Sequence, residues 1–156
     1  MTPWPELDRM MAAFLVRLPE RPRVLDAGCG AGRDTLLLRG RGARAVGLDR
    51  SFGKLRAQSL SRAVQADLRA LPLRDGAVDG VWCEAALPDA PGVLGEFARV
   101  TRPAGALHLR VSEGDAPDEH RLEPLRALLA DAGWTVVGVD RLHHVRDWLY
   151  LLAHRA

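Results

Sequence analysis

The run Asp26-Ala-Gly28-Cys-Gly30-Ala-Gly32 restricts what this chain can fold into more than any other feature. It follows the short apolar segment Arg23-Val-Leu-Asp-Ala27 and leads into Asp34-Thr-Leu-Leu-Leu38, which reads as strand, tight turn and helix. Glycines at alternate positions let backbone approach a nucleotide-like ligand where a Cβ would collide, and the helix that follows offers unpaired N–H groups. A dinucleotide fingerprint counted from Gly28 needs its third glycine at position 33, where the chain has Arg33. The spacing therefore argues against NAD or FAD.

The same unit recurs downstream. An amphipathic helix is expected from about Pro5 to Leu18, stopped by Pro19 and Pro22. Ala43 to Leu48 repeats the strand signal, and a helical stretch from Ser51, its candidate N-cap, to Ser61 follows. Ala63 to Ala66 forms a third short strand, Leu68 to Gly76 a loop and Val78 to Cys83 a fourth strand. The helix Val93 to Val100 then precedes a fifth strand, Ala106 to Val111. Such alternation builds a parallel sheet covered by helices. After a helix over Leu122 to Ala132, two further strands, Thr135 to Asp140 and Trp148 to Ala153, are separated only by Arg141 to Asp147. A parallel crossover needs a dozen or more residues, so these two are expected to be antiparallel neighbours.

Composition narrows the class. At 156 residues, 47% hydrophobic and 27% charged, the chain is globular, and residues 1–156 are expected to form one domain, with an N-terminal helix in residues 1–20 and the α/β core in residues 23–156. The apolar run Met10 to Val16 is too short for a membrane span and follows Glu6 and Asp8 rather than a basic segment. With only Cys29 and Cys83, a disulfide scaffold is excluded and a reduced cytoplasmic setting is expected. Residues 1–78 carry a net charge of +6 and residues 79–156 a net of −4. A basic face toward a polyanion is one reading, but 21 of the 22 basic residues are Arg and no recognition helix or stacking pair accompanies them, which disfavours nucleic acid.

Asp26, Asp49 and Asp67 end three consecutive strands, on the edge where α/β folds bind ligands. A carboxylate at Asp49 can accept both hydroxyls of an unphosphorylated ribose; alone, it reads equally well as a turn or capping acid.

On these residues the chain resembles a class I, Rossmann-like S-adenosylmethionine-dependent methyltransferase, from about Arg23 to the C-terminus. Val-Leu-Asp26-Ala-Gly28-Cys-Gly30-Ala-Gly32-Arg-Asp34 resembles the first motif, and Val-Gly-Leu-Asp49-Arg-Ser51 the ribose-binding strand end. The stretch Ala66-Asp67-Leu68 through Trp82-Cys83 is similar to the passage from the adenine contact into the fourth strand, and Glu96-Phe-Ala-Arg99-Val100 with Pro103-Ala-Gly105 to the helix and turn before the fifth. Val111-Ser-Glu113-Gly114 and Asp147-Trp148-Leu149 draw the likeness toward small bacterial enzymes of the ubiquinone-biosynthesis-like branch. The resemblance implies a seven-stranded, mostly parallel sheet of order 3-2-1-4-5-7-6 in a three-layer sandwich. It also implies S-adenosylmethionine as cofactor and S-adenosylhomocysteine as product. Gly28 and Gly30 would hold the methionine part, with Asp26 fixing the loop behind them. Asp49 would take the ribose hydroxyls, Asp67 and the Leu68 N–H the adenine, Ser51 and Phe52 its flanks, and the Cys83 carbonyl would lie near the sulfonium.

In-line attack on a sulfonium methyl asks mainly for alignment, plus a base where the acceptor carries a proton. Glu84 is the first candidate base, ahead of Asp89, Glu113 and Asp115, and together these acids could form a mouth that favours a cationic acceptor. Asp118 and Glu119 read as caps of the next helix. His143 and His144 read as a solvated turn without metal spacing, His120 as a residue within reach of the pocket, and His108 as a strand residue of unassigned face. Trp4, Trp82, Trp134 and Trp148 read as packing residues. Ala104 stands where a glycine is usual. The short stretch Glu84 to Pro91 and the short first helix imply a site that is open, completed by a second copy or a partner subunit, or no longer catalytic. The expected function is methyl transfer to a small molecule. A noncatalytic cofactor-binding module and an RNA or protein methyltransferase are the competing readings.

Overall fold

The computed structural model describes residues 4–56, 63–84, 87–112, 121–143 and 147–156. Five helices, α1 (Pro5–Leu15), α2 (Arg33–Gly40), α3 (Phe52–Arg56), α4 (Ala90–Val100) and α5 (Leu122–Asp131), alternate with seven strands. The strands are β1 (Arg23–Ala27), β2 (Arg44–Asp49), β3 (Val64–Gln65), β4 (Val78–Cys83), β5 (Thr101–Ser112), β6 (Trp134–His143) and β7 (Asp147–Arg155). They form one sheet of order β3-β2-β1-β4-β5-β7-β6. Every pairing from β3 to β5 is parallel, and β7 alone is reversed, antiparallel to both β5 and β6. Topology and hand of pairing match the sequence expectation.

Period-2 alternation along the strands divides the core into two layers. Leu25, Ala27, Val81, Cys83, Leu107, Leu109, Leu149 and Leu151 pack against α4 and α5. Val24, Trp82, Ala106 and Tyr150 pack against α1 and α2 through Leu7, Met10, Met11, Phe14 and Leu38. Gly80 is what lets α1 lie on the sheet, because a Cβ there would meet Phe14 Cζ at 2.8 Å and Leu18 Cδ1 at 3.0 Å.

Several boundaries differ from the sequence reading. α1 stops at Leu15 rather than Leu18, because Arg17 and Leu18 donate to Phe14 and Leu15, tightening the last turn. α4 begins at Ala90, with Pro91 in its first turn, where a missing N–H costs nothing. β6 and β7 pair as far as His143 with Asp147, so most of the expected Arg141 to Asp147 connection is strand. β5 begins at Thr101, but its register against β4 jumps between Val78 and Gly80, accommodating the turn at Pro103-Ala104-Gly105. The Glu96 and Arg99 side chains pin the loop before β4: Glu96 Oε2 accepts from Leu71 N at 2.8 Å, and Arg99 donates to the Leu73 and Leu71 carbonyls at 2.7 and 3.1 Å.

Ala104 has φ 62°, a left-handed conformation in which its Cβ crowds the carbonyl. Ala104→Gly is expected to raise stability by about 0.5–1 kcal/mol, the relief of strain exceeding the added freedom of the unfolded chain. A higher urea midpoint at unchanged m-value would show it.

Candidate active site

The C-terminal ends of β1, β2, β4 and β5 meet at one edge of the sheet, and the side chains there are set by strand phase. Asp26, Trp82 and His108 are register partners across β1, β4 and β5, so all three point into the α1/α2 layer. Two residues further along, Glu84 and Arg110 emerge on the same side, and Trp148 and Tyr150 join them from β7.

Three contiguous cavities run along this edge. The first, of about 450 Å³, is lined by Gly28, Asp49, Arg50, Lys54, Ala66, Asp67, Leu68, Leu87 and Pro88. Its walls combine one buried carboxylate with an apolar slot. Asp49 Oδ2 accepts from Gly30 N at 2.9 Å and Oδ1 from Ser51 N at 2.8 Å, so this acid ties the glycine loop to β2 and also faces the cavity. Ser51 does not line that cavity; it caps α3 through Lys54 N at 3.3 Å, the bland role its position suggested. Asp67 reaches the cavity, but Arg69 grips its carboxylate at 2.7 Å and holds it well below the usual carboxylate range. Gly28, Gly30 and Gly32 all have positive φ, so the loop between β1 and α2 needs glycine for its backbone path. Around Gly30 no heavy atom would crowd an added Cβ.

Gly28 joins this cavity to a second of about 240 Å³, lined by Asp26, Gly28, Cys29, Ala31, Arg33, Asp34, Glu84 and Arg110. Beneath it lies a buried polar network. Thr35 Oγ1 donates to Asp26 Oδ2 at 2.5 Å, and Trp82 Nε1 donates to Asp34 Oδ2 at 2.9 Å. Burial, opposed only partly by the Thr35 bond, pushes Asp26 up to about 7. The His108 ring lies flat on Trp82, with centroids 3.6 Å apart, and its Nε2 donates to Glu84 Oε1 at 3.1 Å. Burial lowers the His108 pKa and favours the neutral ring.

Arg33, Glu84 and Arg110 join the second cavity to a third, of about 450 Å³, completed by Trp4, Glu6, Leu7, Met10, Leu142, Trp148 and Tyr150. Glu84, the first candidate base, is not a solvated loop acid. Its side chain is only 9% exposed and is bonded by His108, with Arg110 at 3.2 Å and Arg33 at 3.7 Å. Trp4 and Trp148 also depart from the packing role expected of them. The Arg33 guanidinium lies 5.0 Å from the Trp4 ring and that of Arg110 lies 4.4 Å from the Trp148 ring, so both indoles wall the cavity. Trp82 and Trp134 are buried as expected. α1, short as it is, supplies one wall through Leu7 and Met10.

Cys83 is buried at the end of β4, and Asp89 is exposed at the start of α4, outside all three cavities. Glu113, Gly114, Asp115, Asp118, Glu119, His120 and His144, with the Phe52 and His143 side chains, lie outside the described residues. Among the described residues no group of His, Cys, Asp or Glu could hold a metal ion, and no helix is long and apolar enough to cross a membrane. Arg33, Arg110, Trp4 and Tyr150 are the site residues that sequence reasoning missed. The readable signal was alternation, since Trp82/Glu84, His108/Arg110 and Trp148/Tyr150 are each two apart on a strand.

A methyltransferase-domain family model matches residues 25–109, the stretch from β1 into β5 that carries the whole lining of the first cavity and all of the second but Arg110. Among curated proteins, a malonyl-[acyl-carrier protein] O-methyltransferase of Enterobacter lignolyticus is 36% identical over 126 residues, covering 74% of this chain and 50% of that protein. A trans-aconitate 2-methyltransferase of Variovorax paradoxus is 34% identical, covering 81% and 52%. The chain thus spans about half the length of the curated relatives it matches. Among solved structures, Burkholderia thailandensis 1,6-didemethyltoxoflavin-N1-methyltransferase with bound 1,6-didemethyltoxoflavin and S-adenosylhomocysteine superposes with a TM-score of 0.77 at 25% identity, covering 97% of this chain and 79% of that one. Matched over more than half its length, and with the sheet order and glycine loop in place, this chain belongs to the methyltransferase-domain family and has its class I, Rossmann-like fold.

Proposed function

We propose that residues 1–156 act as one domain that transfers the methyl group of S-adenosylmethionine to a small-molecule acceptor. The observation that carries this reading is the continuity of the three cavities, joined first by Gly28 and then by Arg33, Glu84 and Arg110. The residues fit the cofactor. Asp49 supplies a carboxylate for a ribose diol, and Ala66, Leu68, Leu87 and Pro88 supply apolar walls for a base, with Asp67 and the Leu68 N–H at its edge. Ser51, through its cap, holds Lys54 and the rim. Gly28 and Gly30 would hold the methionine part, with Asp26 behind the loop, and the Cys83 carbonyl would lie near the sulfonium. Bound there, the cofactor supplies an electrophilic methyl on a sulfonium. The chain's own residues supply alignment: Trp82 and His108 fix Glu84, Glu84 holds Arg110, and Asp34 holds Arg33, at the junction where cofactor and acceptor would meet.

Small-molecule acceptors are in keeping with the relatives, among them proteins named for trans-aconitate and 1,6-didemethyltoxoflavin. The two cysteines form no disulfide, in keeping with a reducing cytoplasm. Thermal unfolding with S-adenosylmethionine, S-adenosylhomocysteine and NAD, in the parent chain and Asp49→Ala, tests the cofactor. The two adenosyl ligands are expected to stabilise the parent, by about 2.7 kcal/mol at a hundred times Kd, and NAD to do nothing. Asp49→Ala should lose the effect. Stabilisation without turnover on any acceptor would return the chain to the binding-module reading. Steeply salt-dependent binding to RNA would favour a macromolecular acceptor instead.

A further inference from the structure

We infer that Arg99, paired with Glu96 on α4, is a positioning residue for the cofactor's base: it lies outside the lining of the first cavity, yet it holds one wall of the base slot at the separation a purine needs. This rests on the cofactor reading above and deepens it by naming what sets the slot's width.

The slot has two walls of different origin. Leu87 and Pro88 lead directly into α4, so chain continuity ties them to that helix. Ala66, Asp67 and Leu68 open the stretch of residues 66–77 between β3 and β4, and β3 is only two exposed residues at the sheet edge. What steadies this stretch is one guanidinium in the last turn of α4. Arg99 Nε donates to Glu96 Oε1 at 2.7 Å, Nη1 to the Leu73 carbonyl at 2.7 Å and Asp75 Oδ1 at 2.9 Å, and Nη2 to the Leu71 carbonyl at 3.1 Å and Glu96 Oε2 at 2.8 Å. The five N–H groups of the fork thus meet five separate acceptor atoms. Glu96 Oε2 also accepts from Leu71 N at 2.8 Å, and the Arg99 carbonyl accepts from Gly76 N at 2.9 Å. Both main-chain polar groups of Leu71 are therefore held by the Glu96 and Arg99 pair.

Leu71 passes that constraint to the cavity. It is buried with Leu68 in the core cluster that also takes Leu87 and, from α4, Val93, Leu94 and Phe97. Leu68 belongs to this cluster and to the slot wall at once. Both walls are thereby referred to one helix, the first through the chain and the second through Arg99. A planar base is held by close packing on both faces, and a gap of roughly 0.5–1 Å forfeits about a quarter to a half of that attraction. With Arg99 33% and Asp75 84% exposed, their ion pair itself adds little to stability. What Arg99 supplies is a rigid fork, which lysine, with three donors on a flexible stem, reproduces only in part.

The test compares S-adenosylhomocysteine with S-ribosylhomocysteine, which keeps the ribose and amino-acid parts and carries a hydroxyl in place of the base. Both are titrated calorimetrically into the parent, Arg99→Gln and Arg99→Lys, each first shown by thermal melting to be folded. Arg99→Gln should weaken S-adenosylhomocysteine on the order of tenfold and S-ribosylhomocysteine by less than about twofold, and Arg99→Lys should recover part of the loss. Equal losses on the two ligands would mean a general disturbance of the site and overturn the inference. So would S-adenosylhomocysteine binding at full strength to a variant whose melting temperature alone has fallen. Hydrogen exchange on the parent needs no variant: S-adenosylhomocysteine should slow exchange of the Leu71 amide and S-ribosylhomocysteine should leave it unchanged. An unaltered Leu71 amide in the S-adenosylhomocysteine complex would count against the inference on its own. Failure of S-adenosylhomocysteine to bind the parent is a different result, since it removes the cofactor reading beneath the inference.

Discussion

Trp82→Ala is expected to destabilise the fold by roughly 3–5 kcal/mol, the largest loss from any single truncation in the α1/α2 layer. The indole is fully buried, stacks on His108 with rings 10° from parallel, and meets Phe14 edge-on at 5.5 Å. Its Nε1 is also the donor that satisfies the buried carboxylate of Asp34. Truncation therefore opens a cavity between α1 and the sheet and leaves a buried acid short of a partner. Trp82→Phe separates the two effects. It keeps an aromatic face for His108 but no N–H, and should cost about 1–3 kcal/mol. Urea unfolding of both variants reads the difference. Equal losses would mean that the hydrogen bond carries the whole effect, and a loss below about 1 kcal/mol for alanine would mean that the layer closes over the gap. Arg33 hangs from Asp34 and Arg110 from Glu84, which His108 holds, so the alanine variant should also lose acceptor binding before it loses its fold.

The contrast between Asp49 and Arg110 shows what was legible in the sequence. Asp49 ends a strand at a fixed distance from a glycine loop, and both features are local in the chain. The turn chemistry, strand order and loop-facing acid could therefore be read without coordinates. The reversal of β7 was equally legible, because the link from β6 is too short for a crossover. Arg110, Trp4 and Tyr150 enter the site only through long-range packing. Alternation puts Arg110 on the face of His108, but which of the two layers that face meets is set only once β5 pairs with β4 and α1 packs on that side. Trp4 needs α1 to lie against the sheet, and that depends on the missing side chain at Gly80, 76 positions away in the chain. Glu84 was found by position but not by state, since nothing local announces that His108 and Arg110 will close on it.

Asp26→Asn should abolish the pH dependence that Asp26 imposes on the free protein. Burial raises this acid from 3.8 to about 7 in the folded state, so between those values the folded chain keeps a proton that the unfolded chain has lost. Its contribution to stability is therefore greatest at low pH, declines as pH rises toward 7, and is flat above. Between pH 5 and pH 8 the decline amounts to roughly 2–3 kcal/mol. His108 acts in the opposite sense. Its pKa is lowered by burial, so its contribution is lost as pH falls below about 6.5, and the parent's profile is the difference of the two. Asparagine imitates the protonated acid and can still accept from Thr35, so the variant should match the parent near pH 5 and exceed its stability at pH 8. Urea midpoints across that range would show the divergence, and parallel curves would place the Asp26 ionisation elsewhere. A cationic ammonium at the methionine end of the cofactor would repay the cost of ionising Asp26. On the proposed reading, S-adenosylhomocysteine should then bind the parent more tightly as pH rises toward 7 and bind Asp26→Asn with little pH dependence. A stabilised free protein with weakened, pH-insensitive cofactor binding would identify the buried charge as retained for the ligand rather than for the fold.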